Sequence, residues 1–215
     1  AVLTFRPDNL TRPIIIAVVL IVIASFMDAH TTNLTRPSHF YLSQALIGFA
    51  SLLFLAQAMV IGIARTLHAG GKNFISFVVI FSMSQSIGGL AGGTLLGTFQ
   101  TVREKYHSHE LVQNIVASDP LVAARLGAGS RVVAGTVGDP VLRTAEGAAL
   151  LSQQVTREAH ILAYNDVFLL VGVLAILTAL WGFMISWSIR RRNEPSPVIL
   201  LAQRLQAQAQ ARQGQ

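Results

Sequence analysis

The sequence predicts an all-α membrane protein with four transmembrane helices and a helical extramembrane loop between the third and the fourth. Only 12% of its 215 residues are charged and 52% are hydrophobic, whereas a soluble domain carries about 25% charged residues. The charges are also segregated, because four long apolar tracts contain no Lys or Arg and the basic residues lie between them. A membrane helix requires about 20 consecutive apolar residues, which these tracts approach or exceed.

The four predicted spans differ in length. The first is the shortest, near the lower limit of about 17 residues for a membrane helix. Three of them fall within residues 1–100, and the fourth follows a more polar segment. The spans are expected at about residues 13–29, 40–64, 74–99 and 161–189.

The distribution of basic residues predicts the orientation of these spans. Cytoplasmic loops carry an excess of Lys and Arg. In this chain the basic residues before the first span, between the second and third, and after the fourth fall on one side: Arg6, Arg12, Arg65, Lys72, Arg190, Arg191 and Arg192. We therefore expect both termini in the cytoplasm and residues 101–160 outside. Because these residues flank apolar tracts and form no patch with aromatic side chains, we expect no nucleic-acid partner.

Residues 101–160 are expected to form a helical extracytoplasmic loop. Asp119-Pro120 and Asp139-Pro140 each place a capping carboxylate before a proline, which suits the first position of a helix. We predict two short helices, the second of which continues into the fourth span. A segment of this size buries too small a core for a catalytic domain, and we expect no enzyme activity. Residues 190–215 form a polar cytoplasmic tail, either an amphipathic helix or disordered.

A glycine-rich stretch, "SQSIGGLAGGTLLGT", occupies residues 84–98 in the third span. A phosphate-binding loop would require a preceding strand and usually a Lys at its end, and neither is present. We therefore expect no nucleotide or other cofactor. Helical spacing instead predicts a helix-packing face, because small residues four apart let helix backbones approach closely. The predicted packing residues are Gly88, Gly89, Gly92, Gly93 and Gly97.

Three glutamines lie in apolar surroundings within the second and third spans. Gln85 lies at the centre of the glycine face, and Gln44 and Gln57 lie in the second span. Such side chains hydrogen-bond between helices in many membrane proteins, and they can also line a substrate path. Both hypotheses stay open for all three residues, with the interhelical role favoured.

Two acids lie in or beside apolar tracts. Asp28 and Asp166 are both near the outer ends of their predicted spans, so an interfacial or helix-capping role is favoured over a proton relay. Asn165 and Asp166 could order the start of the fourth span through local bonds to the backbone. His107 and His109 are expected in a solvated turn, and we predict no metal site.

Three stretches together resemble a known family: "LSQALIGFASLLFLA", "SFVVIFSMSQSIGGLAGGTLLGTFQTVREKYHSHELV" and "SQQVTREAHILAYNDVFLLVGVLAIL". They look like the C-terminal part of the fourteen-span drug:proton antiporters of the major facilitator superfamily, the EmrB-like branch. The shared features are the glycine-rich span, the Gln-Gln stretch after it and the Ala-Tyr-Asn-Asp start of the last span. The chain would then supply the last four of fourteen spans.

The resemblance implies proton-driven export of hydrophobic or amphipathic toxic compounds across the bacterial inner membrane. It also implies several partners: the lipid bilayer, the remaining N-terminal spans, a small-molecule substrate, a periplasmic adaptor and an outer-membrane channel. The family's Gly-Pro antiporter motif and its N-terminal coupling acid have no counterpart here. We therefore expect this chain alone to be inactive in transport. The alternative is a non-transporting four-span scaffold that assembles through the glycine face.

Overall fold

The computed structural model describes residues 11–116, 118–191 and 197–213. Within these ranges every regular element is a helix, which confirms the predicted all-α class. A short 3₁₀ turn at Pro37–His39 precedes the second α-helix. The helices are α1 (Thr11–Asp28), α2 (Phe40–His68), α3 (Phe74–Gln113), α4 (Pro120–Val132), α5 (Pro140–Arg191) and α6 (Pro197–Gln213).

Three helical segments are long and apolar enough to cross a membrane: Pro37–His68, Phe74–Gln113 and Pro140–Ile185. The apolar part of α1, Pro13–Asp28, is shorter. At 1.5 Å per residue it extends about 24 Å, whereas the hydrocarbon core of a bilayer is about 30 Å thick. The structure therefore supports three membrane-spanning helices where the sequence predicted four, and the first crossing stays a prediction.

The apolar surface of these helices is largely uncovered by the rest of the chain. In the most apolar stretch of each segment, only 11%, 0% and 6% of the residues are buried, in chain order. Exposed apolar patches of this extent mark contact with lipid or with further protein. The uncovered apolar surface thus supports a membrane protein independently of the length of the apolar tracts in the sequence.

The two helices that begin within residues 101–160 each start directly after a capping aspartate. The Asp119 carboxylate accepts the Leu121 N–H at 2.7 Å at the start of α4. The Asp139 carboxylate accepts the Val141 N–H at 2.8 Å at the start of α5. These bonds satisfy amide groups that no helical carbonyl can reach. Both predicted helix starts are confirmed, as is the continuation of the second helix into the predicted fourth span.

The third span is predicted to end at about residue 99, but the helix that contains it, α3, continues to Gln113. The stretch that follows, "QTVREKYHSHELVQ", contains no Gly or Pro. Loss of apolarity ends a membrane crossing but does not end a helix, which requires a breaker or a cap. His107 and His109 therefore lie in a helix and not in the turn that was expected.

The chain divides into two compact units. The first contains the described residues of the ranges Ala1–Met27, Pro37–Gly93 and Leu170–Gln215. Within it, the Phe77 ring of α3 lies over Gly62 of α2, where a Cβ atom would lie 2.1 Å from the ring. The turn between these helices uses Gly70 and Gly71 with φ of 99° and 76°, values that non-glycine residues rarely adopt.

The C-terminal tail contributes a further helix to the first unit. Helix α6 packs against α2, and the Arg204 guanidinium donates to the His68 carbonyl at the end of α2. A cation at a helix C-terminus is favourable because the last carbonyls carry partial negative charge. Of the two predicted states of the tail, the described part adopts the helical one.

The second unit contains Asp28–Arg36 and Thr94–Leu169. Its tightest contact joins α4 to the first part of α5. A Cβ atom on Gly129 would lie 3.1 Å from the Gly147 Cα, and one on Gly147 would lie 2.8 Å from the Leu126 carbonyl oxygen. The two helices therefore approach closely, so that a side chain at position 147 would force a shift and one at position 129 would be tightly packed.

Candidate functional site

The charged centre of the second unit lies between α3 and α5. The Arg103 Nε donates to Asp166 Oδ2 at 2.6 Å. The His107 Nε2 lies 2.7 Å from the same oxygen. Arg103 and His107 are four residues apart and so project from the same face of α3. One carboxylate oxygen of α5 thus joins two basic side chains of α3, and we call Arg103, His107 and Asp166 the charged triad.

The residues around the charged triad connect α5 to two further segments. Asn165 makes three bonds with Thr31: its Oδ1 accepts from the Thr31 hydroxyl at 2.6 Å and from the amide at 3.3 Å, and its Nδ2 donates to the carbonyl at 2.9 Å. The Asn33 amide donates to the Glu158 carboxylate at 2.6 Å. The connection between α1 and α2 is thereby fixed to the polar half of α5.

The proposed capping role of Asn165 and Asp166 is wrong. Helix α5 runs without interruption from Pro140 to Arg191, so both residues lie in its interior, where no helix start requires a cap. Their side chains bond instead to residues 134 and 63 positions away in the sequence. The uncharged stretch of α5 begins after Asp166, and that of α3 ends before Arg103. The charged triad therefore borders the uncharged stretches 74–102 and 167–189 and lies outside them.

The environment of Asp166 favours its charged form. Burial raises the pKa of its carboxyl group, but hydrogen bonds from His107 and Arg103 and the positive charge of Arg103 outweigh that effect. The pKa of Asp166 is therefore lowered from its ordinary value of 3.8. The side chain is 23% exposed and that of Arg103 is 32% exposed, so water partly screens the pair.

His107 lies between two carboxylates. Its Nε2 faces Asp166, and its Nδ1 lies 3.9 Å from Glu110 Oε2 on the next turn of α3. Its side chain is only 13% exposed. An imidazolium ion has an N–H on each nitrogen, and here each has a carboxylate within reach. His107 therefore links Asp166 of α5 to the acidic side chain of Glu110 on its own helix.

An aromatic contact orients the arginine of the charged triad. The Arg103 guanidinium carbon lies 4.7 Å from the centroid of the Tyr106 ring, within the range of a cation–π interaction. The Tyr106 ring in turn meets the His107 ring edge-on at 5.5 Å. Nearby, the Gln100 amide and the His160 ring lie 3.2 Å apart, which extends the polar contact between α3 and α5 by about one turn.

The other predicted site residues lie elsewhere. Asp28, at the end of α1, is 2% exposed. Gln57 is fully buried on α2, and neither of its amide atoms has a hydrogen-bond partner among the described residues. Gln44 and Gln85 are exposed. Of the predicted site residues, Asn165 and Asp166 belong to the cluster around the charged triad.

Gln57 belongs to a regular buried stripe on α2. The buried residues of this helix recur every seven positions: Ser43, Ala50, Gln57 and Ala64. A seven-residue repeat is typical of helices that pack side by side with a left-handed twist. Small residues at the other three positions permit close approach of a neighbouring helix, and Gln57 is the one large side chain of the stripe.

The glycine face of α3 is open within the described part of the chain. A Cβ atom added at any of its glycines would meet nothing within 4 Å, and the most apolar window of α3 is 0% buried. The packing role predicted for these glycines therefore stays a prediction, and its partner would have to come from outside the described residues. The residues concerned are Gly88, Gly89, Gly92, Gly93 and Gly97.

Sequence reasoning missed the α3 half of the charged triad and a buried acid beside it. Glu104 is 4% exposed and lies 3.0 Å from the Lys105 ammonium group. A signal was present, because Gln100, Arg103 and His107 recur at helical spacing. The spacing becomes apparent only when the helix is continued beyond residue 99.

Among the described residues, no group of three or more His, Asp or Glu side chains could hold a metal ion. No family model, curated protein or solved structure matches this chain. The class that the structure supports is an all-helical protein with three helices of membrane-spanning length and apolarity.

Proposed function

We propose that this chain is the C-terminal portion of a proton-coupled exporter of hydrophobic or amphipathic compounds, embedded in the bacterial inner membrane with both termini cytoplasmic. The observation that carries the proposal is the order of motifs along the chain: a glycine-rich span, a Gln-Gln stretch and an Ala-Tyr-Asn-Asp segment before the last span. The uncovered surface of α3 supports it, since a span that is 0% buried requires other helices or lipid around it.

The charged triad supports a proton-linked role for Asp166 in such an exporter. It links the polar ends of two predicted spans through one carboxylate. If the exporter alternates between two states, a change in the relative position of these helices would separate Asp166 from the two donors that favour its charged form, and Asp166 could then take up a proton. A periplasmic adaptor and an outer-membrane channel are proposed partners on the same basis of resemblance.

The decisive test is the upstream reading frame joined to this chain. We expect about ten further apolar spans in frame. We also expect proton-gradient-dependent extrusion of a fluorescent amphipathic cation from cells that express the whole protein. Asp166→Asn should reduce this extrusion, whereas Glu146→Gln, an exposed acid of α5, should leave it unchanged. An upstream frame without such spans would refute the proposal.

The second candidate is a membrane scaffold that assembles through the glycine face. The open space around every glycine of that face favours it. The chain contains no cysteine, so Gly92→Cys introduces a single thiol on the face, and Ile87→Cys serves as the control on the opposite face. Oxidation should give a disulfide dimer from the first variant alone. Equal dimer yields from both variants would exclude a specific glycine interface.

A further inference from the structure

A half-open cavity of about 620 Å³ lies in the second unit, away from the charged triad. It is bounded by the end of α3, by α4, by the first part of α5 and by the connection between α1 and α2. Its floor is apolar and includes Leu111, Ile115, Val122, Leu151 and Val155. This volume lies within the range of about 300–1,000 Å³ that small-molecule sites occupy.

Two cations lie on the wall of this cavity. Arg125 of α4 and Arg157 of α5 both line it. Neither forms an ion pair or hydrogen bond with any residue in the part of the chain that the structure describes. The one acid of the wall, Glu158, already accepts a bond from Asn33 at 2.6 Å. The cavity therefore combines an apolar floor with two guanidinium groups that have no anionic partner among the described residues.

From this combination we infer that the cavity binds a single-chain anionic amphiphile, a free long-chain carboxylic acid whose tail lies on the apolar floor and whose carboxylate meets Arg125 and Arg157. A guanidinium presents paired N–H donors that match the two oxygens of a carboxylate. A neutral apolar ligand would leave both arginines without a partner, and a cationic one would be repelled by them. Equilibrium binding at this cavity requires no transport, so it stands apart from the proposed export function.

The test uses the full chain in nanodiscs of zwitterionic phosphatidylcholine and a diazirine-bearing palmitic acid as probe. Labelled peptides are mapped by mass spectrometry after irradiation. We expect labelling of residues 111–115, 122–125 and 151–158, with dodecanoate competing at least twofold better than dodecanol. Equal competition by the alcohol would overturn the inference, because the arginines would then contribute nothing.

Substitutions test whether the two arginines cause the preference for a carboxylate over an alcohol. An exposed ion pair contributes about 0.2–1 kcal/mol, so the double variant Arg125→Gln/Arg157→Gln should bind dodecanoate about 2- to 25-fold more weakly. Arg131→Gln is the matched control, because Arg131 lies on the same helix and bonds to the Gly127 carbonyl at 3.2 Å. Unchanged binding in the double variant would refute the role of the arginines.

Two further arms separate this ligand from other occupants. Val122→Trp fills the floor and should abolish labelling of the cavity while both arginines remain. Replacing a fifth of the lipid with anionic phosphatidylglycerol should leave dodecanoate binding unchanged. Full displacement by that lipid would assign the site to a membrane headgroup, and probe-independent cross-links between two chains at this cavity would assign it to a second copy. Either result would overturn the inference.

Discussion

The coupling between Arg103 and Asp166 gives the sharpest test of the charged triad. Asp166 Oδ2 receives two donors, at 2.6 Å from Arg103 and 2.7 Å from His107. A hydrogen bond to a charged group contributes about 1.5–3 kcal/mol, and an exposed ion pair about 0–1 kcal/mol. With side chains that are 23% and 32% exposed, the Arg103–Asp166 pair should lie between these limits, at about 1–2 kcal/mol.

A double-mutant cycle measures this coupling directly. The variants are Arg103→Gln, Asp166→Asn and their combination, each unfolded thermally in detergent and followed by far-UV circular dichroism. Asp166→Asn keeps one acceptor oxygen and removes the charge, so it should cost about 2 kcal/mol and lower Tm by about 4–8 °C for a chain of this size. Glu146→Gln makes the same charge change at an exposed site of α5 and should leave Tm within about 1–2 °C.

The result that refutes this reasoning is additivity. If the two single substitutions sum to the effect of the double variant within about 0.5 kcal/mol, the pair contributes no coupling. The 2.6 Å contact would then be incidental to the packing of α3 on α5. A coupling free energy of about 1 kcal/mol or more between Arg103 and Asp166 would establish that their charges hold these two helices together.

Three further predictions rest on single contacts. The pKa of Asp166 is lowered from 3.8. Its stabilising effect is therefore complete above about pH 4 and is lost as the pH falls through the lowered value. The difference in Tm between wild type and Asp166→Asn should accordingly close below about pH 4 when melting curves are recorded at a series of pH values. Gly147→Ala places a methyl group 2.7 Å from Ser130 Oγ and 2.8 Å from a backbone carbonyl. It should therefore destabilise the hairpin formed by α4 and the first part of α5 by about 1–3 kcal/mol. Gly127→Ala on the same hairpin meets nothing and should be neutral or stabilising by up to about 1 kcal/mol, and equal melting temperatures for these two variants would contradict the close approach. Gly62→Ala should displace the Phe77 ring, seen as reduced Phe77 protection from oxidative footprinting, and an unchanged footprint would argue against the contact.

Much of the helical fold could be predicted from local sequence. The apolar tracts of α2, α3 and α5 predicted helices of membrane-spanning length, and Asp119 and Asp139 predicted the starts of α4 and α5. The end of α3 could not be predicted from apolarity. The predictions that succeeded depend on residues within about one turn of each other, and such interactions form whichever way the rest of the chain packs.

The site depended on contacts between distant parts of the chain. Asp166 and Asn165 were recognised as candidates, but the sequence favoured local caps over their bonds to Arg103 and Thr31, which are 63 and 134 positions away. Gly129 and Gly147 likewise gave no sign that they face each other across a hairpin. The sequence by itself determined that this chain forms long apolar helices, because helix formation and capping are local. Only the tertiary structure decided which polar side chains meet, because that depends on the rotation and register with which one helix packs on another.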